Sequence, residues 1–176
     1  MINTASVPSE VRQARLEEWM RDYENDVLRV CYLYLADRPS AEDAMQDTFL
    51  KAWRFMESYE RRNNCSAKTW IMRIAINTCK DYRRTGWFRH IDRRKEPDAA
   101  PFHAPDHEQE NQELMQAVIS LPDKLKQAVL LYYYQDMTME ETAFALRISR
   151  PTLSKRLKTA YAILRDSLEE ASYDEG

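Results

Sequence analysis

The sequence predicts an all-α protein of two small helical domains joined by a flexible linker, the C-terminal domain carrying a helix-turn-helix. Three observations lead there. Only two glycines, Gly86 and Gly176, occur in 176 residues, while Leu, Ala, Glu, Lys, Arg, Met and Gln are abundant; few turns and strong helix formers favour helices. Apolar residues recur at the helical period over long stretches. That period fails between Gly86 and about Asp106, where Pro97, Pro101 and Pro105 stand with Ala99 and Ala100, a composition that reads as linker. A chain of this length holds one ordinary domain or two small ones, and the break selects two. The expected boundaries are 10–85, a linker 86–107, and 108–170.

The first helix spans 13–36, with Leu16, Trp19, Met20, Tyr23, Val27, Val30, Cys31, Tyr34 and Leu35 on one stripe. Arg38-Pro39-Ser40 should break it, Ser40 acting as N-cap with Glu42 and Asp43 in the favourable first turn. The second helix buries Ala41, Ala44, Met45, Thr48, Phe49, Ala52, Trp53 and Met56. After a polar loop from Glu60 to Cys65, Ser66 caps a third helix with Ile71, Ile74, Ala75, Thr78, Cys79 and Tyr82 inward. Fully extended, the roughly 20 linker residues reach about 70 Å. That exceeds the roughly 50 Å of one and a half turns of duplex, so the halves need share no rigid interface.

In the second half one helix runs from about Glu108 to Leu121, and Pro122 opens another through Tyr134. Gln135-Asp136-Met137 turns the chain. Thr138 and Glu141 have capping-box spacing and start a short helix to Leu146. Arg147-Ile148-Ser149 turns again, and Ser149 caps a last helix in which Pro151 is tolerated in the first turn. Leu153, Leu157, Ala160, Ile163 and Leu164 face inward. A short helix, a three-residue turn and a basic helix make a helix-turn-helix.

Net charge is −3, yet the charge is strongly segregated. Residues 61–95 hold 11 Lys/Arg against two Asp/Glu, and residues 147–165 hold six basic residues and no acidic one. Between them, 96–123 carry seven acidic residues and no basic one. Two positive blocks around a negative spacer suit a protein that touches a polyanion at two places. Cys31, Cys65 and Cys79 are far apart with no CxxC pair, and neither they nor His103 and His107 suggest a metal site. Cys31 and Cys79 read as buried thiols; Cys65, in the polar loop, is the one redox candidate. No nucleophile cluster or phosphate-cradling loop suggests catalysis or a cofactor. No run approaches the roughly 20 apolar residues of a membrane span, and the N-terminus lacks a signal-peptide pattern, so a cytoplasmic protein is expected.

The segment SAEDAMQDTFLKAW, from Ser40, puts Asp43, Gln46 and Asp47 on one polar side with Leu50 a turn further on. The segment TWIMRIAINTCKDYRR, from Thr69, sets Trp70, Arg73, Asn77, Lys80, Arg83 and Arg84 around the solvent side of a basic, aromatic helix. Together they resemble the first domain of extracytoplasmic-function (ECF) sigma factors of bacterial RNA polymerase, and the helix-turn-helix resembles the second. The match runs through Thr69, Trp70, Ile74, Ala75, Asn77, Asp81 and Arg84. The resemblance implies that Asp43, Gln46, Asp47 and Leu50 dock on core polymerase. It implies that Asn64, Trp70, Arg73, Asn77, Lys80 and Arg84 contact the −10 element, aromatic faces stacking on splayed bases while cations track the backbone. Trp70 is equally readable as core. In the last helix Ser154, Lys155, Lys158 and Thr159 point out for base edges, and Arg147, Arg150 and Arg156 suit phosphates of a −35 element. PTLSKRLKTAY departs from the family's usual GTVKSRLxRAR, so DNA specificity does not carry over. The expected partners are core RNA polymerase, promoter DNA and an anti-sigma factor. A stand-alone helix-turn-helix regulator or a helical adaptor remains the alternative.

Overall fold

A computed structural model describes residues 8–62, 64–85 and 108–174. Among these residues every regular element is helical. Helix α1 (Ser9–Leu35) ends at Ala36, whose left-handed backbone (φ 56°) lets its N–H donate to the Tyr32 carbonyl at 2.7 Å. Helix α2 (Arg38–Arg62) begins earlier than expected. Its cap is Asp37, not Ser40: the Ser40 N–H donates to Asp37 Oδ2 at 2.9 Å, and Ser40 is buried in the first turn. Pro39 fits there because first-turn N–H groups have no intrahelical acceptor to lose. Ser66 does cap α3 (Ala67–Arg84), its Oγ accepting from the Thr69 N–H at 3.1 Å.

These three helices pack pairwise. Ala41, Ala44, Ala52 and Ala75 are fully buried and let the backbones approach closely, around Val27, Val30, Phe49, Met56 and Ile71. Cys31 and Cys79 are buried together, as anticipated, and their mutual contact together with burial raises the Cys31 thiol well above its ordinary range. Met72 and Ile76 are also buried, and the helix Met139–Leu146 of the second half packs on α3 as well.

The second half comprises α4 (Glu108–Ser120), α5 (Asp123–Val129), a π-helical turn Leu130–Tyr134, α6 (Met139–Leu146) and α7 (Arg150–Asp174). The expected single helix to Tyr134 changes pitch at Leu130. That widened turn leaves both Leu130 and Leu131 fully buried while Tyr133 meets Tyr161 edge-on at 5.1 Å. The capping box forms, Thr138 Oγ1 accepting from Glu141 N–H and Glu141 Oε2 from Thr138 N–H. Helix α7 carries Leu153, Leu157, Ala160 and Leu164 into the core. Ile163, expected inward, is 38 % exposed because it falls off that stripe.

The linker reading, with His103 and His107, lies outside the described residues. The two halves, which the linker's reach leaves free of any need for a rigid interface, are packed on one another: α1 against α4, α5 and the π-turn, and α3 against α6.

Candidate polymerase and nucleic-acid interfaces

On α2, Asp43, Gln46 and Leu50 are exposed, Leu50 by 56 %. Asp47 is different. It is half-buried and accepts a 2.8 Å hydrogen bond from Tyr82 Oη on α3. Burial and this bond push the Tyr82 hydroxyl pKa upward. One turn on, Lys51 Nζ donates to Thr78 Oγ1 at 3.1 Å and pairs with Asp81 at 3.4 Å. These contacts tether the polar side of α2 to α3. Phe55, which the sequence pattern does not single out, is 57 % exposed on the same helix. Its position off the buried stripe is the available signal.

Helix α3 and the loop before it rest on an aromatic cluster. Trp70 stacks on Tyr59 with ring centroids 4.7 Å apart and planes at 26°, and both rings meet Trp19 near 5.6 Å, edge-on. Tyr59 Oη donates to the Cys65 carbonyl at 3.1 Å, pinning the loop that holds Asn64. Trp70 is thus half-buried, with one face covered by Tyr59. Burial raises the Cys65 thiol pKa, with Arg73 opposing weakly; a reactive thiol wants the reverse shift.

The candidate strand-contacting residues divide into two groups. Asn64, Asn77 and Arg84 are exposed, and Arg84 pairs with Asp81 at 2.6 Å. Arg73 and Lys80 are half-buried. The Arg73 guanidinium lies 5.7 Å from the Phe144 ring centre. Its pKa is lowered by burial first and by the Arg147 charge next. Lys80 is lowered by burial and then by Arg156, Arg84 and Arg147, against Asp123. Arg83, read on the solvent side, is instead turned inward. It pairs with Asp123 of α5 and donates to the Tyr34 carbonyl at 3.4 Å.

In the helix-turn-helix, Arg147 takes a left-handed conformation (φ 54°) and closes α6 through its N–H to Phe144 O. Ser149 Oγ accepts from the Thr152 N–H at 3.3 Å and so starts α7. Lys155, Lys158 and Thr159 are exposed, Ser154 half-buried. Thr159 Oγ1 donates to the Lys155 carbonyl at 3.0 Å. Arg147 and Arg150 are exposed, Arg150 pairing with Glu140 at 2.8 Å across an open surface. Arg156 is half-buried, with its charge felt at Lys80. The first turns of α7 therefore offer a basic outer face, and the Arg156 and Arg147 charges are felt at Lys80 on α3.

Comparison with known proteins follows the same division. Residues 19–89 match the family model for sigma-70 region 2, and residues 111–164 match that for sigma-70 region 4. The ECF RNA polymerase sigma factor SigM of Bacillus subtilis is 27 % identical over 164 residues, covering 83 % of this chain and 94 % of its own. The RNA polymerase sigma-E factor of Streptomyces coelicolor is 26 % identical over 158 residues, covering 90 % of this chain and 88 % of its own. Among solved structures, CnrH in complex with the cytosolic domain of CnrY aligns with a TM-score of 0.67 at 18 % identity, over 90 % of each chain. The sigma factor RpoE of Bartonella quintana, in complex with the anti-sigma factor NepR, aligns with a TM-score of 0.66 at 20 % identity. It covers 87 % of this chain and 98 % of that one.

Proposed function

Because this chain belongs to the ECF sigma factors, with region 2 and region 4 in the family's order, we propose how its surfaces divide the work of promoter-specific initiation. Residues 10–85 act as the region 2 domain, 86–107 as spacer and 108–170 as the region 4 domain. Asp43, Gln46 and Leu50 meet core RNA polymerase, and Asp47 holds α2 to α3 so that polymerase binding also orients the strand-contacting helix. Asn64 and Asn77 take hydrogen bonds from unstacked bases at the −10 element, while Arg73, Lys80 and Arg84 neutralise phosphates. Trp70 supports the loop from below. Lys155, Lys158, Ser154 and Thr159 read base edges at a −35 element, and Arg147, Arg150 and Arg156 set the register on the backbone. The protein is a transcription-initiation factor rather than an enzyme.

The observation that carries this reading is the pairing of an acidic, apolar-tipped α2 face with a tethered basic α3 in one domain. A stand-alone regulator has no use for that coupling. No described helix is long and apolar enough to cross a membrane, and a cytoplasmic site of action follows from work on core polymerase. Two structural neighbours are held by partner proteins, CnrY and the anti-sigma factor NepR, which supports an anti-sigma factor as a partner here. Size-exclusion chromatography with purified core polymerase tests the first step. A stable complex is expected from the wild-type chain; elution of the chain apart from core polymerase would overturn the assignment.

A further inference from the structure

We propose that Phe55 on α2 is a stacking platform for one unstacked base of single-stranded DNA, beside the strand-contacting helix. Asp47, Lys51, Phe55 and Tyr59 are spaced four residues apart and form one ridge of α2 along α3. Asp47 accepts from Tyr82, Lys51 donates to Thr78, and Tyr59 stacks on Trp70. On α3 these partners recur at the same four-residue spacing, with Ile74 filling the remaining place. The register therefore sets Phe55 at the level of Ile74. Its neighbours on the ridge are fastened to α3, whereas Phe55 leaves 57 % of its surface in water. Ile74 is half-buried, and Asn77, its neighbour one turn on, is exposed. An open aromatic ring thus stands close to the amide assigned to bases.

The surroundings of the ring suit a nucleotide. A depression of about 330 Å³ beside Phe55 is lined by Arg54, Glu57, Ser58, Arg61 and Arg62. Glu57 pairs with Arg61 at 3.4 Å and with Arg12 at 3.6 Å, so its charge is offset. Three exposed arginines leave the depression positive. The Arg62 charge is also felt at Arg73 on α3, so the cationic rim continues onto the strand-contacting helix. Charge along α2 changes sign on the way to this site. Residues 38–49 carry three acidic and one basic residue, and residues 50–62 carry two acidic and four basic. The acidic half holds Asp43 and Gln46, assigned to polymerase; the basic half holds an aromatic face among guanidinium groups. Such a face takes the flat side of a base while the cations take its phosphates. Stacking tolerates any base, so the site adds grip on the opened strand without reading its sequence.

This inference rests on α3 being the strand-contacting helix, and the test keeps the two apart. The full-length chain is titrated into fluorescein-labelled oligothymidylate and binding is followed by anisotropy. No core polymerase is present, so the result does not depend on the chain joining it. Phe55→Leu keeps the apolar bulk but removes the ring, and should weaken binding roughly tenfold. Phe55→Trp should match or exceed wild-type affinity. Arg62→Gln should reduce the slope of affinity against salt by about 0.7, the value of one phosphate contact on a single strand. Co-elution with core polymerase should be the same for Phe55→Leu as for wild type. Unchanged oligothymidylate affinity in Phe55→Leu, with weakened affinity in Asn77→Ala, overturns the platform and leaves α3 in place. Unchanged affinity in both variants overturns the platform and also counts against α3. Lost co-elution by Phe55→Leu with intact oligothymidylate affinity would give this face to polymerase, which overturns the proposal as well.

Discussion

Asp43 and Asp47 lie one turn apart on α2 and look alike in the sequence, yet only Asp43 faces open water. Asp43→Arg is expected to weaken core polymerase binding by roughly 2 kcal/mol, the scale of removing one charged partner from a desolvated interface. Its thermal unfolding should match wild type. Tyr82→Phe, which removes the donor to Asp47, should lower stability by about 1 kcal/mol in a denaturant titration while leaving the acidic face in place. Equal core affinity for the Asp43 variant would show that this face does not bind polymerase. A second pair separates melting from reading. Asn77→Ala should spare binding to a −35 duplex but leave the −10 thymines unreactive to permanganate; Lys155→Ala should weaken −35 binding by about 1–3 kcal/mol. Normal opening by the Asn77 variant would mean that the single-strand contact is misplaced. Much of this site is legible in the sequence because exposed polar residues at helical spacing reveal their face. Asp47, Arg83 and Trp70 are less so, since each is decided by a residue far away in sequence: Tyr82, Asp123 and Tyr59.

At the scale of elements, the capping box on α6 has a job that longer helices do not demand of theirs. Eight residues are too few to hold a helix alone, and α6 must both support α7 and cover α3. Thr138→Ala should therefore destabilise the second half by about 1 kcal/mol, seen as earlier loss of hydrogen-exchange protection in α6 than in α1. Uniform protection across both would contradict this. Helix positions and most caps follow from period and side-chain chemistry, with Ser66, Thr138 and Ser149 capping as expected. The misplaced start of α2 has a local cause. Asp37 and Ser40 are both good caps, and the sequence does not reveal that the left-handed Ala36 brings Asp37 into position first. The π-turn at Leu130 is not legible either, because its residues keep a helical apolar pattern while the pitch changes beneath it.

The molecule as a whole closes on contacts between residues such as Tyr34 and Gln127, which no local pattern links. Burial raises the Tyr34 hydroxyl to about 12, whereas a tyrosine in the unfolded chain titrates near 10. A group whose folded pKa is raised lends stability that is complete below the unfolded value and is lost as pH climbs through the folded one. The closed form should thus be intact at neutral pH and weaken between about pH 10 and 12. Tyr34→Phe should flatten that alkaline loss in thermal melts; an identical pH profile would show that Tyr34 does not titrate in the fold. The central claim is that two helical domains act together to start transcription at chosen promoters. Run-off transcription with purified core polymerase measures it most directly, on templates recovered by enrichment with the full-length protein. Discrete transcripts that require the wild-type chain, and that disappear with Asp43→Arg and with Lys155→Ala, are the predicted result. Templates that bind the chain yet yield no transcript above core polymerase alone would contradict the account.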